Sequence, residues 1–157
     1  MPAPNGIFDT NVLRVANPRD NYPLELQLLC LEEMVRVREH GRIGLDNQNL
    51  ILEEYANNLN FSGSPGAGDE FFKYVHNNQH VASVVVRASI TSNEVRGFDE
   101  FPDSPDLEGF DPSDRKFVAT QLVLGSTFEI LNAVDSDWDN ASVELKAAGV
   151  VFRTLST

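Results

Sequence analysis

A chain of 157 residues, 41% of them hydrophobic, has enough apolar surface to bury one continuous core, which fits a single domain over residues 1–157. Twelve Lys and Arg against twenty-four Asp and Glu give a net charge of -12, which argues against a long basic groove that holds nucleic acid by charge alone, and against binding to an anionic membrane. The one cysteine, Cys30, excludes an internal disulfide and a Cys-rich zinc site, and it fits a reducing cytoplasmic setting. No apolar run approaches the roughly 18 residues of a membrane span, and Met1–Gly6 lacks the blocks of a signal peptide, so the reading is a soluble protein.

In chain order, Ile7-Phe8-Asp9 reads as a short strand running into a loop at Asp9-Thr10-Asn11. Leu24, Leu28, Leu31 and Val35 recur at helical spacing, and Pro23 and Gly41 bound a helix over about 24–39. Arg42–Asp46 reads as a second strand, and Leu50–Leu59 as a helix with Ile51, Leu52, Tyr55, Ala56 and Leu59 on one side. That helix breaks at residues 60–68, a Gly-rich connection with no Lys-Ser/Thr after it and so no phosphate cradle; a further helix covers about 69–78. Val81–Ser89 has strand composition, and residues 97–112 read as an acidic surface loop. Asp111-Pro112 opens the next helix, which ends at Gly125. Phe128–Val134 is a strand, 140–148 a short helix that Asp139 would cap, and 150–152 a last strand. This alternation implies an α/β fold, a three-layer α/β/α sandwich with a mainly parallel central sheet, in which ligands bind beyond the carboxyl ends of the strands.

The acids fall where that fold converges. Asp9 ends the first strand, Asp135 and Asp137 follow a later one, and Asp114 sits in a helix's first turn. Carboxylates gathered without Lys or Arg between them repel one another, and persist with bound protons or a divalent cation. Oxygen-only ligation, with no His or Cys pair nearby, selects Mg²⁺ or Mn²⁺ over zinc, and sites of this type perform phosphoryl chemistry. Helical periodicity leaves Glu53 and Glu54 equivalent, each about 130° from the centre of its helix's apolar face. Phe71, Phe72 and Tyr74 read as core rather than as base-stacking residues.

Four segments resemble the motifs of the PIN domain nucleases, in that family's order and across nearly the whole chain. Ile7-Phe-Asp-Thr-Asn-Val-Leu13 is similar to the opening strand with its Asp-x-Asn signature, and Ile51-Leu-Glu-Glu-Tyr55 to the second acidic motif. Asp114-Arg-Lys-Phe-Val-Ala119 is similar to the third, and Ala133-Val-Asp-Ser-Asp-Trp138 to the fourth. The resemblance implies a metal site of Asp9, Glu54, Asp114 and Asp135, which are also the catalytic residues, with Asp137 as an additional ligand or water-positioning acid. It picks Glu54 over Glu53, and has Asn11 hold Asp9 by a hydrogen bond. At Ala133, where many members place Thr or Ser, Ser136 is the substitute. Arg115 and Lys116, adjacent to Asp114, are the candidate phosphate contacts. The implied activity is Mg²⁺- or Mn²⁺-dependent hydrolysis of phosphodiester bonds by an endonuclease, most often in single-stranded RNA. A toxin and a defence-associated nuclease both fit, with an antitoxin or a defence-system subunit as protein partner, as does a homodimer. The alternative is a PIN-like interaction or scaffold module, catalytically weak or inactive and regulated by a partner.

Overall fold

The computed structural model describes residues 2–61 and 66–156. Its central sheet has five parallel strands in the order β3-β2-β1-β6-β7: β1 (Asn5–Phe8), β2 (Ile43–Asp46), β3 (Val85–Ala88), β6 (Phe128–Asn132) and β7 (Phe152–Thr154). A two-stranded antiparallel hairpin, β4 (Ser92–Asn93) and β5 (Gly97–Phe98), lies apart from the sheet in the connection to the fifth helix. Every residue of β1, β2 and β6 is buried, as expected of inner parallel strands covered on both faces. β1 sits between its neighbours with Asn5, Gly6, Ile7 and Phe8 opposite Phe128, Glu129, Ile130 and Leu131, and with Gly6 opposite Ile43.

Among the described residues seven α-helices flank the sheet: α1 (Thr10–Ala16), α2 (Leu24–His40), α3 (Leu50–Asn58), α4 (Ala67–Asn77), α5 (Arg115–Leu124), α6 (Ser136–Asn140) and α7 (Ser142–Ala147). The alternation of β1 assigns the layers. Phe8 points to the side of α4, where its ring meets Phe71 edge-on at 5.0 Å. Ile7 points to the opposite side, that of α5. There Gly44 is required: a Cβ on it would come within 2.6 Å of Ile7 and 2.9 Å of Leu124, so only glycine lets α5 settle on β2. The α5 helix then ends at Gly125, whose φ of +92° is disfavoured for residues with a side chain. These layers make the α/β/α sandwich expected from the alternation, with a sheet that is wholly parallel. No helix among the described residues is long and apolar enough to cross a membrane.

Several boundaries differ from the sequence reading. Residues 10–16 form α1 rather than a loop, because the Asp9 carboxylate accepts from the Asn11 amide at the helix start. In residues 81–89, only Val85–Ala88 pairs with β2; the start is a turn closed by Val84 N–H to the Val81 carbonyl. Asp139 does not cap the next helix: it lies within α6 and accepts from the Thr154 hydroxyl at 2.9 Å, whereas Asp135 caps α6. Residues 62–65 of the Gly-rich connection lie outside the described set.

The largest difference is the rotation of α2. Its buried residues are Cys30, Glu33, Met34 and Val37, while Leu24, Leu28 and Val35 are 68%, 48% and 46% exposed. The inward Glu33 is tolerated because Arg36 donates to it at 2.7 Å and Arg153 of β7 also pairs with it. The Cys30 thiol is buried, which pushes its pKa up to about 12 and leaves it unreactive.

Candidate metal centre

Because all five strands run the same way, the carboxyl ends of β1, β2 and β6 open onto one edge, and Asp9, Asp46 and the turn after Asn132 lie there. Asp9 is held from two sides. Its Oδ1 accepts from the Asn11 amide at 3.1 Å, and its Oδ2 accepts from the Trp138 indole N–H at 2.9 Å. Trp138 is fully buried and packs edge-on against Phe110, so the donor is fixed by the core. Asp135 is fixed through its backbone: Asn132 donates to its carbonyl at 2.8 Å and accepts from its amide at 3.1 Å, which tightens the turn that starts α6. Asp114 enters from a third direction, at the end of a 3₁₀ turn over Pro112–Asp114 that Asp111 caps through the Ser113 amide.

These placements bring one carboxylate oxygen from each of Asp9, Asp114 and Asp135 within 4.8 Å of the other two. A second trio, Asp111, Asp114 and Asp137, meets the same limit, so Asp114 is the shared corner. Asp114 is 6% exposed, and its buried Oδ2 has no hydrogen-bond partner. Burial, together with the charges of Asp9 and Asp135, pushes the Asp114 carboxyl from 3.8 up to about 9. Burial likewise pushes Asp9 up to about 6, against the stabilising bonds from Asn11 and Trp138. Asp137 is raised chiefly by the charge of Asp135. A buried carboxylate oxygen without a donor is costly in a folded protein, and an all-oxygen set around it suits a hard divalent cation.

Glu54 stands at the wall of this cluster and outside its closest trio. Asp46 accepts from the amides of Leu50 and Ile51 and so sets the start of α3, while the Tyr55 hydroxyl donates to the Phe8 carbonyl at 2.5 Å. With Tyr55 fixed in this way, Glu53 is exposed and Glu54 is half-buried beside the acids. The Glu54 carboxylate accepts from the Thr10 hydroxyl and pairs with Lys116 Nζ at 2.7 Å.

Four expected roles change. Lys116 is buried and spends its ammonium on Glu54 and the Ser113 carbonyl, so it is not a free phosphate contact. Arg115 is buried too: it donates to the carbonyls of Phe110, Glu108 and Arg96 and lies over the Phe101 ring, bracing the 96–110 loop. The side chain of Asn11 does not reach Asp9. It bridges instead to Asn132 at 2.8 Å and to the Ala133 amide at 2.8 Å, joining the ends of β1 and β6, and only its backbone amide serves Asp9. Ser136 is exposed at the start of α6; Asn132 performs the buttressing assigned to it. Asn132, Trp138 and Thr10 are the positioning residues that sequence reasoning missed; a polar residue ending an apolar strand was the available signal for Asn132. No family model, curated protein or solved structure matches this chain.

Proposed function

We propose that this chain is a divalent-metal-dependent endonuclease of the PIN type, which hydrolyses phosphodiester bonds in single-stranded RNA. The observation that carries this reading is the trio of Asp9, Asp114 and Asp135, with a buried Asp114 oxygen that has no partner in the protein. These residues fit Mg²⁺ or Mn²⁺, with Asp137 and Asp111 adjoining through the corner at Asp114. When bound, such an ion supplies positive charge to the phosphodiester oxygens and lowers the pKa of water. The protein's own part is positional: Trp138 and the Asn11 amide orient Asp9, and Asn132 orients the turn bearing Asp135. Thr10 and Lys116 hold the Glu54 carboxylate along the cleft wall.

In-line displacement at this site leaves 5′-phosphate and 3′-hydroxyl ends. The test is cleavage of a mixed panel of RNA and single-stranded DNA, with Mg²⁺ or Mn²⁺, by the parent and by Asp114→Asn. Metal-dependent cleavage by the parent alone is the expected result. Equal activity in both variants overturns it, as does a parent that binds metal and cuts nothing. The second reading, an interaction module in a cytoplasmic complex with an antitoxin or defence-system subunit, draws its support from the outward stripe of Leu24, Leu28 and Val35 on α2. It gains if metal binds without cleavage.

A further inference from the structure

Of the acids, Asp9, Glu54 and Asp135 line a cleft of about 330 Å³, which Arg14 and Tyr22 line as well. Among the described residues Arg14 is the one Lys or Arg lining this cleft, since Lys116 is bound to Glu54 beyond its wall and Arg115 is folded into its loop. A polyanionic strand approaching a protein of net charge -12 needs such a cation at the point of entry.

The short helix α1 directs Arg14 there. Thr10 and Arg14 are four residues apart and share one helix face, and the Thr10 hydroxyl already touches Glu54. The Arg14 guanidinium is half-exposed and its partner is Asp20, at 3.2 Å, itself 39% exposed. An exposed pair of this kind contributes little to stability, so a phosphate can replace Asp20 on the planar fork at small cost. Tyr22 follows Asn21, whose left-handed φ of 54° ends the 3₁₀ turn over Pro18–Asp20, and the Tyr22 carbonyl is held by the Gln27 side chain at 2.8 Å. The Tyr22 ring is half-buried against the core and therefore pre-set, as a stacking platform needs to be.

We infer that Arg14 and Tyr22 form the strand-binding subsite of the acid cleft, with the guanidinium on a backbone phosphate and the ring against a neighbouring base of single-stranded RNA. This rests on the nuclease reading above. Asp20 then acts as a competitor that holds Arg14 in place when no strand is bound.

The test is steady-state cleavage of a short fluorophore-labelled single-stranded RNA of mixed sequence with Mn²⁺, with anisotropy for binding and calorimetry for Mn²⁺. It compares the parent with Arg14→Ala, Asp20→Asn and Tyr22→Leu. Arg14→Ala raises KM about tenfold with kcat nearly unchanged, as expected for losing a charged hydrogen bond made equally in ground and transition states. It also lowers the salt slope of binding by about 0.7, the value for one phosphate contact on a single strand. Asp20→Asn moves KM the other way, which a merely structural role for Arg14 would not produce. Tyr22→Leu weakens binding about fivefold. All three bind Mn²⁺ as the parent does. If the parent cleaves and Arg14→Ala shares its KM and salt slope, the subsite is overturned and the nuclease reading stands. Loss of Mn²⁺ binding or of folding in Arg14→Ala also overturns it. A parent that binds Mn²⁺ yet neither binds nor cuts the RNA overturns both, and one that does so but cuts a single-stranded DNA of the same sequence, run beside it, overturns the assignment to RNA.

Discussion

Asp69 and Asp114 are both buried aspartates near the start of a helix, and the protein treats them in opposite ways. Asp69, in the first turn of α4, is surrounded by donors: Arg19 reaches both oxygens at 2.8 and 3.1 Å, and the Asn17 side chain and the amides of Asn60 and Gly66 complete the set. Burial alone would raise its pKa, but these bonds overcome it and hold the carboxyl below the usual range. Asp114 has acids where Asp69 has donors, and one of its oxygens has no partner. The difference separates a carboxylate used to fold the chain from a carboxyl that burial and neighbouring acids hold back from ionising. A carboxylate whose bonds are complete joins α4 to the 17–19 turn; one whose bonds are incomplete is where the proposed cation would complete them.

The contrast is sharpest in activity. Asp114→Asn is expected to lower metal-dependent cleavage by at least about a hundredfold, since the loss of a ligand exceeds the 10- to 100-fold typical of outer-shell changes, whereas Asp69→Asn leaves the activity of the folded fraction near the parent's. In stability the order reverses. Asp69→Asn should cost about 2–3 kcal/mol, because Arg19 and two amides lose a charged acceptor, and Asp114→Asn should raise the melting temperature in EDTA. If Asp114→Asn destabilises the metal-free protein, the acids are not repelling one another and the contrast fails.

Mn²⁺ at a hundred times its dissociation constant should stabilise the parent by about 2.7 kcal/mol and Asp114→Asn by much less, read as melting temperature with and without EDTA. The pH response is smaller and follows from the signs of the shifts. Asp9 and Asp114 titrate near 6 and 9 in the fold against 3.8 ordinarily, so the folded state binds more protons, and in EDTA stability rises as pH falls from about 9 towards about 4. Asp69 has the opposite sign: its contribution is present above the ordinary carboxyl range and is lost as pH falls below it. Denaturant titrations of the parent and of each Asn variant across this range separate the two. The smallest change expected is at Trp138→Phe, which removes one donor from Asp9 and should weaken Mn²⁺ about tenfold by calorimetry.

Much of the fold is legible in the sequence for a physical reason. Strands buried on both faces need mainly apolar residues, and Phe128–Asn132, with Phe128, Ile130 and Leu131, and Ile43–Asp46, with Ile43 and Leu45, are short apolar segments that each end on a polar residue. The α1 helix is hidden because Thr10, Val12 and Val15 favour strands locally, and only the Asp9 cap and packing on α2 and α4 make it helical. For α2 periodicity gives the helix but not its rotation, since Glu33 faces inward through a partner, Arg153, that lies 120 residues away. Asp9, Asp114 and Asp135 are legible as acids at element ends. That Lys116 and Arg115 are buried is not, because a charged pair after a helix cap looks the same whether it faces solvent or is folded into a loop.

The position of β1 has a consequence for how the chain is made. It leaves the ribosome before the other strands of its sheet, yet it occupies the middle, between β2 and a strand, β6, that begins only at residue 128. Until then one edge of β1 is open, and Asp9 lacks Asp135, Asn132 and Trp138. Pairing over so many residues slows folding, and it also orders events: a growing chain has no acid cluster until Asp135, more than a hundred residues after Asp9, has been synthesised.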